Sequence, residues 1–299
     1  MPSSIPCPPL SGVFVAVPTF YGMTYDVDFA SVGRYLKWLF SFKVNGVVIC
    51  GTTGEGRAQS LDEYEDLIRL AVHLAPEKTH VMAGTYGVVP SAVVRQIQRA
   101  EKGGAHSALV LSPHYTQPSQ KGMVDYYSAI HAATRMPMVM DHHSSCTGTA
   151  IAVDTVHHLS TFKRIVGIKD STTDMVRPMQ YASRIRSSSW SNLCGEDSQF
   201  LPYLACGGTG IISVSAGVAP SRYMKLWNAW TKNDWTKARA QATKLLALNQ
   251  ALGCASNPLP VKYALERIGF GTTRMRYTLG SLDDDGKRMI MSALPKSSL

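Results

Sequence analysis

Short apolar runs of strand type recur eight times along the 299-residue chain, each parted from the next by a longer segment of helical periodicity. The runs are GVFVAVP (12–18), GVVIC (46–50), HVMAG (80–84), SALVLS (107–112), MPMVMD (136–141), IVGIK (165–169), SNLCG (191–195) and GIISV (210–214). Amphipathic segments follow them over 28–42, 61–74, 91–102, 121–134, 153–160, 174–185, 197–206 and 220–230, with Ser60 and Asp197 suited to starting helices. Such alternation restricts the chain to parallel strands joined by helical crossovers. Eight units within residues 10–230 point to an α/β fold of the closed (β/α)8 TIM-barrel type rather than an open doubly wound sheet. No GxGxxG follows a strand and no phosphate-loop motif occurs, so the sequence signatures of nucleotide-binding open sheets are missing. The remainder, 231–299, reads as three further helices, two of them strongly periodic (WTKARAQATKLLALNQALG and PVKYALERIGF) around the Pro-rich break SNPLP. The expected organisation is a catalytic barrel over 10–230 with a C-terminal helical extension over 231–299 packed on it.

In such a barrel the C-terminal ends of the strands meet at one mouth, so those ends name the candidate chemistry. Strand 2 ends in Gly51-Thr52-Thr53-Gly54-Glu55-Gly56, strand 4 in Ser112-Pro113-His114-Tyr115, strand 5 in Asp141-His142-His143 and strand 6 in Lys169-Asp170; strand 8 passes through Ile212-Ser213. Strand 6 is the most telling, because an apolar run stops abruptly at an amine. An amine delivered to a buried rim loses hydration that its charged form needs, which makes it a competent nucleophile toward a carbonyl. The alternative is a strand-end lysine in water, and the groups converging around it favour the reactive reading. The GTTGEG loop offers backbone N–H groups and two hydroxyls to a carboxylate, in a turn with glycine at positive φ. His114 and Tyr115 suit a proton relay or an aromatic lid. Asp141, His142, His143 and Cys146 are all metal-capable. Neighbouring strand residues point to opposite sides, so the two histidines cannot share an ion without a bulge, and no metal or other cofactor is expected.

Composition excludes other classes. No apolar run approaches the ~18 residues of a membrane span, and the start MPSSIPCPPLSG lacks the charged beginning and apolar core of a signal peptide, which points to a cytoplasmic protein with no membrane partner. The formal charge is +9, but Lys and Arg are scattered with no basic tract, which argues against nucleic acid and suits small anionic substrates. Cys7, Cys50, Cys146, Cys194, Cys206 and Cys254 lie far apart with no CxxC pair, as expected of reduced, mostly buried thiols.

Five motifs in order carry a family resemblance: GTTGEG at 51–56, LVLSPHYTQPSQKGMVDYYSAI at 109–130, GIKDST at 167–172, GEDSQFLPYLACGGTGIISVSAGVAP at 195–220 and NPLPVKYAL at 257–265. From about residue 10 to about residue 290 the chain resembles the dihydrodipicolinate synthase and N-acetylneuraminate lyase family of Schiff-base-forming lyases. The resemblance implies that Lys169 forms an imine with the keto group of pyruvate or another 2-oxo acid. It implies likewise that Thr52 and Thr53 hold the substrate carboxylate and that the Ile212 carbonyl lines the site. Tyr115 matches a tyrosine that in the synthases reaches across a subunit contact, so a homo-oligomer, dimer or tetramer, is implied. Three positions depart from the family pattern: counting back from Thr147-Gly148, Asp141 stands where the relay tyrosine is expected and Cys146 where the synthases carry arginine. His114 replaces the first tyrosine of the usual pair. The expected function is a lysine-imine lyase acting on a 2-oxo acid, by retro-aldol cleavage or condensation with pyruvate, or by dehydration of a 2-keto-3-deoxy acid. The alternatives are 4-hydroxy-tetrahydrodipicolinate synthase with an altered proton relay and, from another class, a non-catalytic 2-oxo-acid sensor or scaffold. Lys169, Tyr115, Asp141 and His142 are the catalytic candidates, the last three being open alternatives for the proton relay. Gly51, Thr52, Thr53, His114, Ile212 and Ser213 are the substrate-binding candidates.

Overall fold

The computed structural model describes residues 9–295. Its eight strands are β1 (Gly12–Ala16), β2 (Gly46–Ile49), β3 (His80–Thr85), β4 (Ser107–Leu111), β5 (Met138–His142), β6 (Ile165–Asp170), β7 (Ser191–Cys194) and β8 (Gly210–Ser213). Each pairs in parallel with the next and β8 closes onto β1, which makes a (β/α)8 barrel. The outer layer consists of α1 (Phe29–Ser41), α2 (Leu61–Leu74), α3 (Pro90–Gly103), α4 (Gln120–Ala133), the single turn α5 (Ser144–Thr147), α6 (Val153–Leu159), α7 (Val176–Arg184), α8 (Phe200–Ala205) and α9 (Pro220–Thr231). After the barrel come α10 (Trp235–Leu252), α11 (Leu259–Arg267) and α12 (Asp284–Ala293), with α10 laid against α9 and α12. Among the described residues no helix is long and apolar enough to cross a membrane. Cys7 and most of the N-terminal segment read above lie outside the described residues.

The strands read as unbroken apolar runs because both of their faces are buried. Phe14, Ala16, Val48, Met82, Leu109, Val139, Leu193 and Ile212 fill the barrel interior, while Val13, Val15, Val47, Ile49, Val110, Met140 and Ile211 pack outward under the helices. Ser60 starts α2 with a capping box, its hydroxyl accepting from the Glu63 amide while Glu63 accepts from the Ser60 amide. Asp197 is not a cap. It opens a 3₁₀ turn, and its carboxylate accepts from the Ser213 hydroxyl and, at 2.8 Å, from the Ser215 amide, tying β8 to the segment after β7. Among the described cysteines Cys50 and Cys194 are buried, Cys206 is half-buried and Cys146 and Cys254 are exposed, so the thiols are less uniformly buried than expected.

One irregularity in register decides where the chemistry points. Met138 pairs with Ile165 but Val139 pairs with Gly167, so β6 carries one residue more than its neighbour. Val166 faces the interior, and strict alternation would turn residue 168 inward and residue 169 outward. The extra residue reverses this. Ile168 packs outward and Lys169 reaches the cavity at the mouth.

Candidate active site

The C-terminal ends of the strands enclose a cavity of about 70 Å³, whose polar lining comes from Thr52, Thr53, Asp141, His143, Lys169 and Asn257, with Ala16, Val48, Leu109, Ile212 and Val214 as its apolar part. On that measure a single water needs roughly 10–15 Å³, so the space suits a ligand of a few heavy atoms. Lys169 Nζ donates to Asp141 Oδ1 at 2.9 Å, and both side chains are largely withdrawn from solvent. Gly195 makes room for this lysine. A Cβ there would lie 2.8 Å from Lys169 Cε and 2.1 Å from Ser171 Oγ, closer than any side chain tolerates.

The GTTGEG loop forms a tight turn, with the Glu55 amide bonded to Thr52 O and the Gly56 amide to Gly51 O. Positive φ was expected at its glycines, but the left-handed residues are Cys50 (φ 55°) and Glu55 (φ 52°). Close approach, not φ, demands glycine: a Cβ on Gly56 would sit 1.9 Å from the Cys50 carbonyl oxygen. Glu55 then turns away from the cavity into a fully buried ion pair with Lys262 at 2.8 Å. Its second oxygen accepts from the amides of Arg276 (2.8 Å) and Tyr277 (2.9 Å). The C-terminal extension is thereby pinned to the loop that carries Thr52 and Thr53. Asn257, just before α11, adds a direct contact by donating from Nδ2 to Thr53 Oγ1 at 3.0 Å, which leaves the threonine hydroxyl proton free to point into the cavity.

Gly51, Thr52, Thr53, Ile212, Asp141 and Lys169 are brought together here; the other candidates are not. His142 follows Asp141 on the opposite face of β5 and is fully buried behind the barrel wall. Its Nδ1 accepts from Arg177 Nη2 at 3.0 Å, within a cluster that includes Asp170 and Tyr181. Burial works against the charge of Asp170, yet the Arg177 guanidinium holds its carboxyl below the usual carboxylate range. Ser213 also faces outward, engaged with Asp197 and the Ala216 amide. His114 is half-buried outside the cavity lining, and burial pushes its imidazole below the usual histidine range. Tyr115 is 92% exposed, with φ 70°.

Two contributors escaped sequence reasoning. His143 lines the cavity and is held down to about 4 first by burial and then by the Lys169 charge, so its imidazole is neutral at neutral pH. Period-2 alternation carried one residue past the strand end would have found it, since positions 141 and 143 share a face. Asn257 comes from far along the chain, and its only sequence signal was its place in the NPLP motif.

An inward-facing lysine at the mouth of a closed parallel barrel, paired with a carboxylate over a small polar cavity, is the arrangement of a (β/α)8 lyase. The chain belongs to the dihydrodipicolinate synthetase family, whose family model matches residues 9–297. It is 32% identical over 274 residues to the 4-hydroxy-tetrahydrodipicolinate synthase of Gluconacetobacter diazotrophicus, covering 92% of each chain. Its fold matches a dihydrodipicolinate synthase variant described as monomeric, with a TM-score of 0.92, 27% identity and 97% of both chains covered. It also matches the chloride-inhibited dihydrodipicolinate synthase of Acinetobacter baumannii in complex with pyruvate, with a TM-score of 0.91, 28% identity and 95% and 97% of the chains covered.

Proposed function

We propose that this lyase binds pyruvate as an imine on Lys169 and joins its C3 to an aldehyde, in the manner of 4-hydroxy-tetrahydrodipicolinate synthase. The observation that carries the imine is the Lys169 amine inside the cavity, 2.9 Å from a carboxylate able to take its proton. Imine formation makes an electron sink beside C3, so the carbanion needed for bond formation becomes an enamine. Thr52 and Thr53 hold the carboxylate of the 2-oxo acid, with Asn257 fixing the Thr53 hydroxyl. The sequence puts retro-aldol cleavage or condensation with pyruvate, or dehydration, ahead of the synthase; the three relatives named above, which carry the synthase name, favour the synthase.

A second reading, cleavage or dehydration of a 2-keto-3-deoxy acid with no second carboxylate, is favoured by one feature. Cys146 stands exposed at the rim where the resemblance implies an arginine, so a second carboxylate finds no guanidinium from that position. The exposed Tyr115 supports assembly with a second copy that would cover it. Product formation from pyruvate with aspartate semialdehyde, compared with cleavage of a panel of 2-keto-3-deoxy sugar acids, separates the readings. Turnover of the first pair supports the synthase; turnover confined to the sugar acids overturns it in favour of the second.

A further inference from the structure

Asp141 stands where the resemblance places a relay tyrosine. Asp141 Oδ1 is already engaged with Lys169 Nζ. Once the amine has become an iminium, the positive charge stays on that nitrogen and the carboxylate remains its counter-ion. A carboxylate that stays bonded to that nitrogen is occupied there. The C3 proton therefore needs another acceptor in the same cavity.

His143 is placed for it. It stands two residues beyond Asp141 and on the same side, and it lines the cavity that holds Lys169. The charges that act on its ring are those of Lys169 and Asp141 in the cavity, Glu196 from the segment after β7 and, from behind the strand, His142. Among the described residues the hydrogen-bond partner of the ring is Cys146, with Sγ 3.7 Å from Nε2. The tautomer that gives Nε2–H to the sulfur leaves the Nδ1 lone pair free. The other titratable candidates stand elsewhere, His142 behind the strand against Arg177 and Tyr115 exposed on its own chain.

We infer that His143 is the acid–base residue that removes and returns the substrate proton, while Asp141 serves the nitrogen end of the Lys169 imine. This rests on the imine reading proposed above. In the forward step the C3–H bond breaks and its proton goes to His143. The C–H electron pair forms C2=C3, and the C=N π pair returns to nitrogen. The enamine then attacks the aldehyde carbon; the carbonyl electron pair moves to oxygen, which takes the proton back from His143 as nitrogen regains its iminium charge. Water releases the product and restores the amine, so no further reactant is consumed. Burial and the Lys169 charge keep the imidazole neutral and able to accept at neutral pH.

Exchange of the pyruvate methyl protons in D₂O, followed by proton NMR, reads the carbon step without any aldehyde, and borohydride trapping reads the imine separately. His143→Ala and His143→Gln should trap pyruvate as the wild type does while exchange falls roughly 100-fold or more. Added imidazole should restore part of the exchange in His143→Ala, and Asp141→Asn should slow trapping itself. Retained trapping in the variants also reports that the cavity has folded. Wild-type exchange in both His143 variants overturns the assignment while leaving the imine standing, and so does loss of exchange in Tyr115→Phe with His143 variants unaffected. Loss of trapping in both His143 variants moves the residue into imine formation and overturns the division of labour. No trapping by the wild type overturns both this inference and the reading beneath it.

Discussion

Lys262→Met tests how the C-terminal extension holds the substrate loop. Both side chains of the Lys262–Glu55 pair are 0% exposed, and Lys262 also donates to the Arg274 carbonyl and lies 4.5 Å from the Tyr21 ring centroid. Methionine keeps the length and most of the volume but removes the charge. Glu55 would then keep only its two bonds from the Arg276 and Tyr277 amides, and the Arg274 carbonyl would lose its ammonium partner. Breaking a buried pair from one side costs about 3–5 kcal/mol, because the remaining charge is stranded. At about 2 °C per kcal/mol for a chain of this size, the melting temperature should fall by about 6–10 °C. Glu55→Gln should cost less, since burial already pushes the Lys262 ammonium below its usual range and a stranded amine can shed its proton. The double variant should recover part of the loss, which calorimetry of all four proteins would show as a coupling energy. A Lys262→Met protein melting within about 1 °C of wild type, roughly 0.5 kcal/mol, would refute the claim that this pair clamps the loop.

Thr52→Val and Thr53→Val should each weaken 2-oxo acid binding at least tenfold, the loss of a charge-assisted hydrogen bond being ~1.5–3 kcal/mol; the melting temperature should hardly move in Thr52→Val and fall in Thr53→Val, which leaves Asn257 Nδ2 without its acceptor, and isothermal titration beside thermal melts checks both. Gly195→Ala should abolish borohydride trapping with a smaller effect on stability, because the added methyl falls 2.8 Å from Lys169 Cε; mass spectrometry beside a thermal melt decides. For Asp170 the folded-state value lies below the unfolded one, so its contribution to stability is fully present above the unfolded value of ~3.9 and is lost as pH falls through the folded value. Asp170→Asn should therefore flatten the acid limb of the stability profile and lower stability at neutral pH, where it strands Arg177; chemical denaturation from pH 7 to pH 2 tests both parts.

The barrel was legible because both faces of each strand are buried, which writes β1 to β8 as apolar runs, eight of them, each parted from the next by a helical segment. What pattern alone concealed was the direction of individual side chains. Lys169 faces inward through one extra residue in β6, a register fact with no compositional signature. Taking His142 and Ser213 as site residues ignored the period of two that turns each away from a neighbour that faces inward. His143 reads from its residue type as a metal ligand, and what marks it as a cavity residue is the face it shares with Asp141. Asn257 and the Glu55–Lys262 pair join positions about 200 residues apart, and only the assembled barrel brings such residues together.

The central claim is that Lys169 is the amine that carries the substrate. Incubation with pyruvate and borohydride, followed by intact mass and peptide mapping, tests it directly. The account predicts one reduced pyruvate adduct per chain, located on the peptide containing Lys169 and lost in Lys169→Ala with the fold retained. An adduct that persists in Lys169→Ala at the wild-type rate, or one that maps to another lysine, would contradict it.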